Sequence, residues 1–434
     1  MKRNKMNDLI KWKEKKHKLP LMLLGARQVG KTYLLKKFAE TYYDEYVYIN
    51  FEQNNFFAKM YEADLDPKRI IGEIELYINK KINPENMLIF FDEIQLSDKA
   101  ITALKYFAEQ FPEYDIVCAG SLLGVVIQRE SFSFPVGKVE FHYLFPFRFD
   151  EFLLGIGNEL LVEKIKECYS SNAKMPTIIH EKAISLYKQY LCVGGMPAAI
   201  NEFIVKGEDL VAFDQTVHEN IINAYIADMS KYSSSSESVK VQAIYKSIPE
   251  QLAGDNQKFK YSVVQNGAKA SRFGSAIEWL ILSRTNLECS LIKRPEYPLR
   301  AYKEKGFFKL YLSDVGLLMC LAKMPFKMIL LEGEHNLFKG AITANYVAEQ
   351  LKSNNEELYY WKSNTHEVDF IVQIDDEIIP IEVKSSNNKR SKSLNEYIRK
   401  YNPQYAIRLS TKNFGYENGI KSVPLYAAFE IMNK

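Results

Sequence analysis

Several absences narrow the field before any motif is considered. Only five cysteines occur in 434 residues: Cys118, Cys168, Cys192, Cys289 and Cys320. They are scattered, odd in number and without a C-x-x-C pair, which excludes a disulfide framework or a zinc knuckle and fits a reducing compartment. Long apolar runs are missing too. No stretch approaches the ~18 residues of a membrane-spanning helix, and the basic opening MKRNKMNDLIKWKEKKHKLP contains no signal-peptide h-region. A soluble, cytoplasmic protein without a membrane partner is the expectation. Glycine (20) and proline (15) are modest while tyrosine (28) and phenylalanine (26) are plentiful, which argues against disorder. Neither sign of charge dominates: 57 basic residues face 54 acidic ones, for a net +3. That balance neither demands nor excludes nucleic acid. The length predicts two to four domains.

What is present begins with Gly25-Ala26-Arg27-Gln28-Val29-Gly30-Lys31-Thr32, a full match to G-x-x-x-x-G-K-[ST]. The apolar run 19–24 before it suits a buried parallel strand. After it, Leu34, Leu35, Phe38, Ala39 and Tyr42 recur at helical spacing. Strand, loop and helix is the setting a phosphate cradle requires, with glycines letting backbone N–H groups close on phosphate at a helix N-terminus. Lys31 is expected on the β- and γ-phosphates of ATP, and the Thr32 hydroxyl on magnesium. The run MLIFFDEIQ (87–95) supplies a hydrophobic strand ending in acids. Asp92 is the candidate to hold magnesium through water, and Glu93 the candidate general base.

Further strand-like runs lie at 45–52, 115–121 and 138–146, separated by helical patterns such as 99–111. Alternating β and α elements predict an α/β fold with a doubly wound, mostly parallel sheet. Ligands bind such sheets at the carboxyl ends of the strands, where Gly25, Asp92 and Ser121 fall.

GARQVGKT, FFDEIQ, AGSLLG and FPFRFDEFL together resemble bacterial and archaeal AAA-type ATPases that end in a conserved domain of unknown function with a nuclease-like fold. The resemblance implies that Ser121 is the polar sensor of the γ-phosphate. It also implies an arginine where this chain has Gly137-Lys138; a lysine supplies charge there but not a bidentate fork. Oligomer formation is compatible with that family.

Five segments are expected: a basic N-terminal helix (1–18), the P-loop core (19–150), a helical lid (151–235), a winged helix (236–325) and a restriction-endonuclease-like α/β domain (326–434). In the lid, Gly194-Gly195-Met196-Pro197 reads as a helix break, either a tight interhelical turn or a contact toward the nucleotide. The polar tract 232–238 reads as a loop. In the winged helix, Lys269, Ser271, Arg272 and Arg284, with Lys293, Arg294 and Arg300 near the wing, are the candidates for DNA contact.

The last domain carries Asp369 on one strand and Glu382-Val383-Lys384 on the next. Residues i and i+2 of a strand share a face, so Glu382 and Lys384 point the same way. Asp369 and Glu382 are candidate metal ligands, with Lys384 orienting water. The resemblance implies a further glutamate where this chain has Ala344, and Glu349 lies on another helical face. A basic run, Lys389, Arg390, Lys392, Arg399 and Lys400, follows as a phosphate-backbone surface or a solvated helix face. The function expected is a Mg-ATP-binding, ATP-hydrolysing switch or motor, with DNA as one candidate partner. An ATP-gated DNA nuclease and a non-catalytic nucleotide switch that recruits a protein partner remain open beside it.

Overall fold

The computed structural model describes residues 1–121, 134–231, 235–254, 256–331, 337–353, 357–363, 365–384 and 392–433. The chain forms two compact units, residues 2–145 and residues 146–434 together with Met1.

In the first unit, β1 (Leu21–Leu24), β2 (Glu45–Asn50), β3 (Met87–Asp92), β4 (Asp115–Gly120) and β5 (Glu140–Tyr143) form one parallel sheet in the order β5-β1-β4-β3-β2. β1, β3 and β4 are buried at every position, which is why they read as unbroken apolar runs. Helix α1 (Lys5–Lys13) sets Trp12 against Phe38 of α2 (Lys31–Tyr42). Helices α3 (Asn55–Ala63), α4 (Pro67–Ile78) and α5 (Asp98–Gln110) share a core with the sheet through Phe57, Met60, Ile70, Ile74, Ile101 and Phe107. The register matters most: Leu24 stands beside Gly120 and Asp92 beside Ala119. The residues that follow these strand ends, Gly25, Ser121 and Glu93, therefore leave the sheet at one edge.

The second unit opens with helices α6 (Phe149–Gly155), α7 (Glu159–Ser171), α8 (Thr177–Val193), α9 (Pro197–Val205) and α10 (Thr216–Lys231). The tract 232–238 is less of a loop than its serines suggest. Residues 232–234 lie outside the described residues, and α11 (Ser235–Ala253) has already begun at Ser235. Then come α12 (Tyr261–Val264), α13 (Ala270–Leu282), the antiparallel pair β6 (Asn286–Ile292) and β7 (Lys303–Leu312), and α14 (Val315–Leu321).

Helix α15 (Leu337–Lys352) precedes β8 (Leu358–Lys362), β9 (Glu367–Ile374) and β10 (Glu377–Val383). They are followed by α16 (Lys392–Tyr401), β11 (Ala406–Ser410), β12 (Gly415–Glu417) and β13 (Ile420–Pro424). The eight strands of this unit make one mixed sheet, β12-β13-β11-β10-β9-β8-β6-β7. β6 pairs in parallel with β8, from Cys289 beside Leu358 to Ile292 beside Trp361. The β6–β7 hairpin is thus an integral edge of the sheet that carries Asp369 and Glu382. Trp361, Ile371, Leu394 and Tyr397 form the core beneath α16.

Candidate functional site

The loop at the head of α2 is shaped by its backbone. A Cβ on Gly25 would lie 2.2 Å from the Leu144 carbonyl oxygen, so only glycine lets the loop turn this close to the end of β5. Gln28 (φ 65°) and Gly30 (φ 95°) are left-handed, which winds the loop around its own interior before the helix starts at Lys31. Ala26 and Val29 are buried and anchor the loop from below, Arg27 is half-buried, and Gln28 is exposed. The Lys31 ammonium, itself buried, donates to the carbonyls of Gly25 and Ala26, both at 2.8 Å. A cation held at a ring of backbone groups beside a helix N-terminus suits an anion of phosphate chemistry.

The acids meet this loop from β3. Thr32 Oγ1 donates to Asp92 Oδ2 at 3.0 Å, with Oδ1 at 3.3 Å. A hydroxyl and a carboxylate at this distance are the hard oxygen donors that suit magnesium. The Glu93 amide donates to Asp92 Oδ1 at 3.1 Å. Glu93 itself is left-handed (φ 52°), which turns its side chain away from the line of the strand. Ser121 is buried where β4 ends, one strand over from each acid and from the loop. The structure brings Lys31, Thr32, Asp92, Glu93 and Ser121 to a single sheet edge. The residues that follow in AGSLLG, 122–124, lie outside the described residues.

Two further side chains belong to this edge and were not singled out from the sequence. Tyr48, on β2, donates its phenol to Asp92 Oδ2 at 2.8 Å and accepts from Asn50 Nδ2 at 3.1 Å. Burial, with the Asp92 carboxylate, pushes that phenol up to about 12 against the pull of Asn50, so it stays a donor through the neutral range. Gln95 Nε2 donates to Glu93 Oε2 in a short hydrogen bond, and its buried Oε1 has no hydrogen-bond partner among the described residues. The only signal for Gln95 was its place two residues past Glu93. For Tyr48 there was none beyond its membership of a neighbouring strand.

Lys138 pairs with Glu109 at 3.0 Å, both partly exposed. The turn at Gly194-Gly195 is interlocked within its own unit. Gly195 N–H donates to the buried Asp314 Oδ2 at 2.6 Å, and Leu317 N–H caps the other oxygen at 2.9 Å. Of the basic residues around α13, Lys269 and Arg272 are exposed beside Ser271 at its start, and Arg284 is half-buried. Lys293 pairs with Glu304 at 3.2 Å, Arg300 lies 3.7 Å from Glu357, and Arg294 is exposed.

At the C-terminal cluster, Glu382 Oε1 and Lys384 Nζ are 3.0 Å apart, and Asp369 Oδ2 accepts from the Val383 amide between them at 2.8 Å. β9 carries a bulge here. Tyr359 and Trp361 of β8, two residues apart, face Ile371 and Val368, three apart, so one extra residue sits at Asp369-Phe370. Lys309 joins from β7: its buried ammonium is 2.7 Å from Glu367, and Lys362 adds a second contact at 3.1 Å. Burial works against the Lys309 charge, yet Glu367 and Asp369 together hold it above its ordinary value. Burial likewise pushes the Asp369 carboxyl up, against the pull of Lys309. Glu349 faces elsewhere, bonded to Asn345 at 2.6 Å and pushed up by burial and Asp314. Ala344 is buried. Among the described residues no group of three His, Cys, Asp or Glu is placed to hold a metal ion. Lys389 and Arg390 lie outside the described residues, Arg399 pairs with Glu396 at 2.8 Å, and Lys400 lies over the ring of Tyr401.

Comparison with known families matches residues 17–153 to an AAA domain, and residues 184–327 and 339–428 to two domains of unknown function (DUF8612 and DUF4143). No curated protein matches. Among solved structures, the Walker-type ATPase PABY2304 of Pyrococcus abyssi is 16% identical. It covers 74% of this chain and 95% of its own, with a TM-score of 0.45. The Aeropyrum pernix ORC2 protein, in ADPNP–ADP complexes, is 11% identical over 78% and 91% at 0.37. The ORC1 protein of the same organism, in complex with DNA, is 13% identical over 76% and 95% at 0.31. No helix among the described residues is long and apolar enough to cross a membrane.

Proposed function

We propose that this chain, whose residues 17–153 match an AAA domain and fold as a parallel P-loop sheet, binds Mg-ATP and hydrolyses it as a switch or motor. The observation that carries the reading is the contact of Thr32 with Asp92 at the mouth of the Lys31 loop, with Glu93 next in the chain. In this reading Lys31 leaves the Gly25 and Ala26 carbonyls for the β- and γ-phosphates, which the loop amides also hold. Magnesium, when bound, neutralises phosphate charge. Thr32 and, through water, Asp92 would hold it, and Glu93 would take a proton from the attacking water. Ser121, at the intervening strand end, reports the γ-phosphate. The test is Mg-ATP turnover and nucleotide binding in variants. Lys31→Ala is expected to abolish binding, and Glu93→Gln to keep binding while lowering turnover by about 100-fold or more. Normal turnover in Glu93→Gln removes that residue from its role. Tight retention of nucleotide with negligible turnover in the wild type favours the non-catalytic switch.

For the C-terminal cluster we infer an internally compensated ion network rather than a cutting centre. Lys309, Lys362 and Lys384 face Glu367, Asp369 and Glu382, so each carboxylate has a cation or an amide on at least one oxygen, while the buried Glu382 Oε2 has no hydrogen-bond partner among the described residues. Two carboxylates without the further glutamate also make a poor magnesium site. Supercoiled plasmid incubated with magnesium should remain intact, and nicking by the wild type that Asp369→Ala abolishes would restore the nuclease reading.

A further inference from the structure

We propose that Tyr48 is a positioning residue for the magnesium carboxylate, a role that rests on the Mg-ATP reading above. Asp92 is held by three donors: Thr32 Oγ1, the Glu93 amide and the Tyr48 hydroxyl. Two of these share one oxygen, Oδ2, and Thr32 is the donor that must change its partner when its hydroxyl turns to the metal. The Glu93 amide bonds Oδ1, the oxygen of the opposite side. Once Thr32 turns away, Tyr48 is the side chain that still fixes Oδ2 and with it the rotation of the carboxylate plane.

The hydroxyl is itself fixed at three points. Its ring packs edge-on against Phe90 at 5.2 Å, the residue beside it in the β2–β3 register. Asn50 Nδ2 donates to its oxygen, while Asn50 Oδ1 is tied down by the amides of Glu52 and Gln53. Lys36 of α2 stands 3.8 Å over the ring, linking the phenol to the helix that begins with Lys31 and Thr32. The result is a closed circuit, α2 to Tyr48 to Asp92 and back to α2 through Thr32. Outer partners that hold a ligating carboxylate typically contribute 10- to 100-fold in metal affinity.

The experiment titrates magnesium into protein and a fluorescent ATP analogue and reads nucleotide binding, so turnover is not needed. Tyr48→Phe keeps the ring and removes the hydroxyl. It should leave affinity in EDTA within about twofold and raise the magnesium midpoint roughly tenfold. Lys36→Met keeps the hydroxyl bond and removes only the cation over the ring, so its shift in midpoint should be clearly smaller than that of Tyr48→Phe. Far-UV circular dichroism and a thermal melt check that both variants fold. An unchanged midpoint in Tyr48→Phe overturns the positioning role while leaving the ATP reading intact, as does an equal shift in Lys36→Met. A wild type that binds the analogue without any magnesium dependence, or not at all, overturns the ATP reading and this proposal with it.

Discussion

Glu93 shows how much a single side chain depends on what holds it. Its backbone is left-handed, so the carboxylate leaves the strand line and meets Gln95 two residues on. In the proposed mechanism that hydrogen bond fixes one carboxylate oxygen and leaves the other to accept a proton. Replacing Gln95 by leucine keeps the volume and removes the bond. The expected outcome is a kcat about tenfold lower with KM for ATP within twofold, because orientation and not substrate affinity is lost. A kcat above wild type would instead make Gln95 a restraint on the base. The loop and the acid pair were legible in the sequence because each is a contiguous string in a strand setting. Gln95 and Tyr48 were not, since a hydrogen bond across a turn or between neighbouring strands leaves no mark on either residue's local pattern.

At the scale of elements, the turn between α8 and α9 is a small lock. Gly194 is left-handed at φ 74°, and a Cβ there would sit 2.4 Å from Asp314 Oδ1. A Cβ on Gly195 would lie 2.2 Å from the Phe147 carbonyl oxygen. Alanine at Gly195 must push one backbone off another, so a loss of about 3 kcal/mol in urea unfolding is expected. Asp314 is the keystone, fully buried and accepting from the amides of Gly195 and Leu317. Burial raises its carboxyl from 3.8 to about 6, against the pull of those amides. Below pH 4 the group is neutral in both states, and between about 4 and 6 only the unfolded chain ionises it. Stability therefore falls as pH rises through that window, by roughly 3 kcal/mol, and is flat above it. Asp314→Asn should flatten that slope relative to wild type; identical slopes would remove Asp314 as its cause. The helix break at Gly194-Gly195 was visible in the sequence. Its partner was not, because Asp314 lies more than a hundred residues away and nothing local announces a buried acid at the start of α14.

For the whole molecule, the strand–helix alternation of the first 145 residues made the parallel sheet legible, since buried parallel strands leave continuous apolar runs. The second unit was harder. Paired strands at 286–312 read locally as a hairpin, and only the tertiary partner β8 reveals that they extend a sheet of eight. That union bears on nucleic acid. Between its strands the hairpin carries Lys293 at 3.2 Å from Glu304, Arg300 at 3.7 Å from Glu357 and the exposed Arg294, and Lys269 and Arg272 stand exposed at the head of α13. If this unit touches DNA, Lys269 and Arg272 at the head of α13 are candidates to carry the contact through a few phosphate charges. Binding should then be weak and only modestly salt-dependent, with log K against log[salt] falling by a slope of about 0.9 for each phosphate contact. Lys269→Ala with Arg272→Ala is expected to cut the response of Mg-ATP turnover to duplex DNA and leave turnover without DNA unchanged. Turnover indifferent to DNA in the wild type would end the nucleic-acid reading and turn attention to a protein partner. A DNA response that survives in the double variant would move the contact off α13.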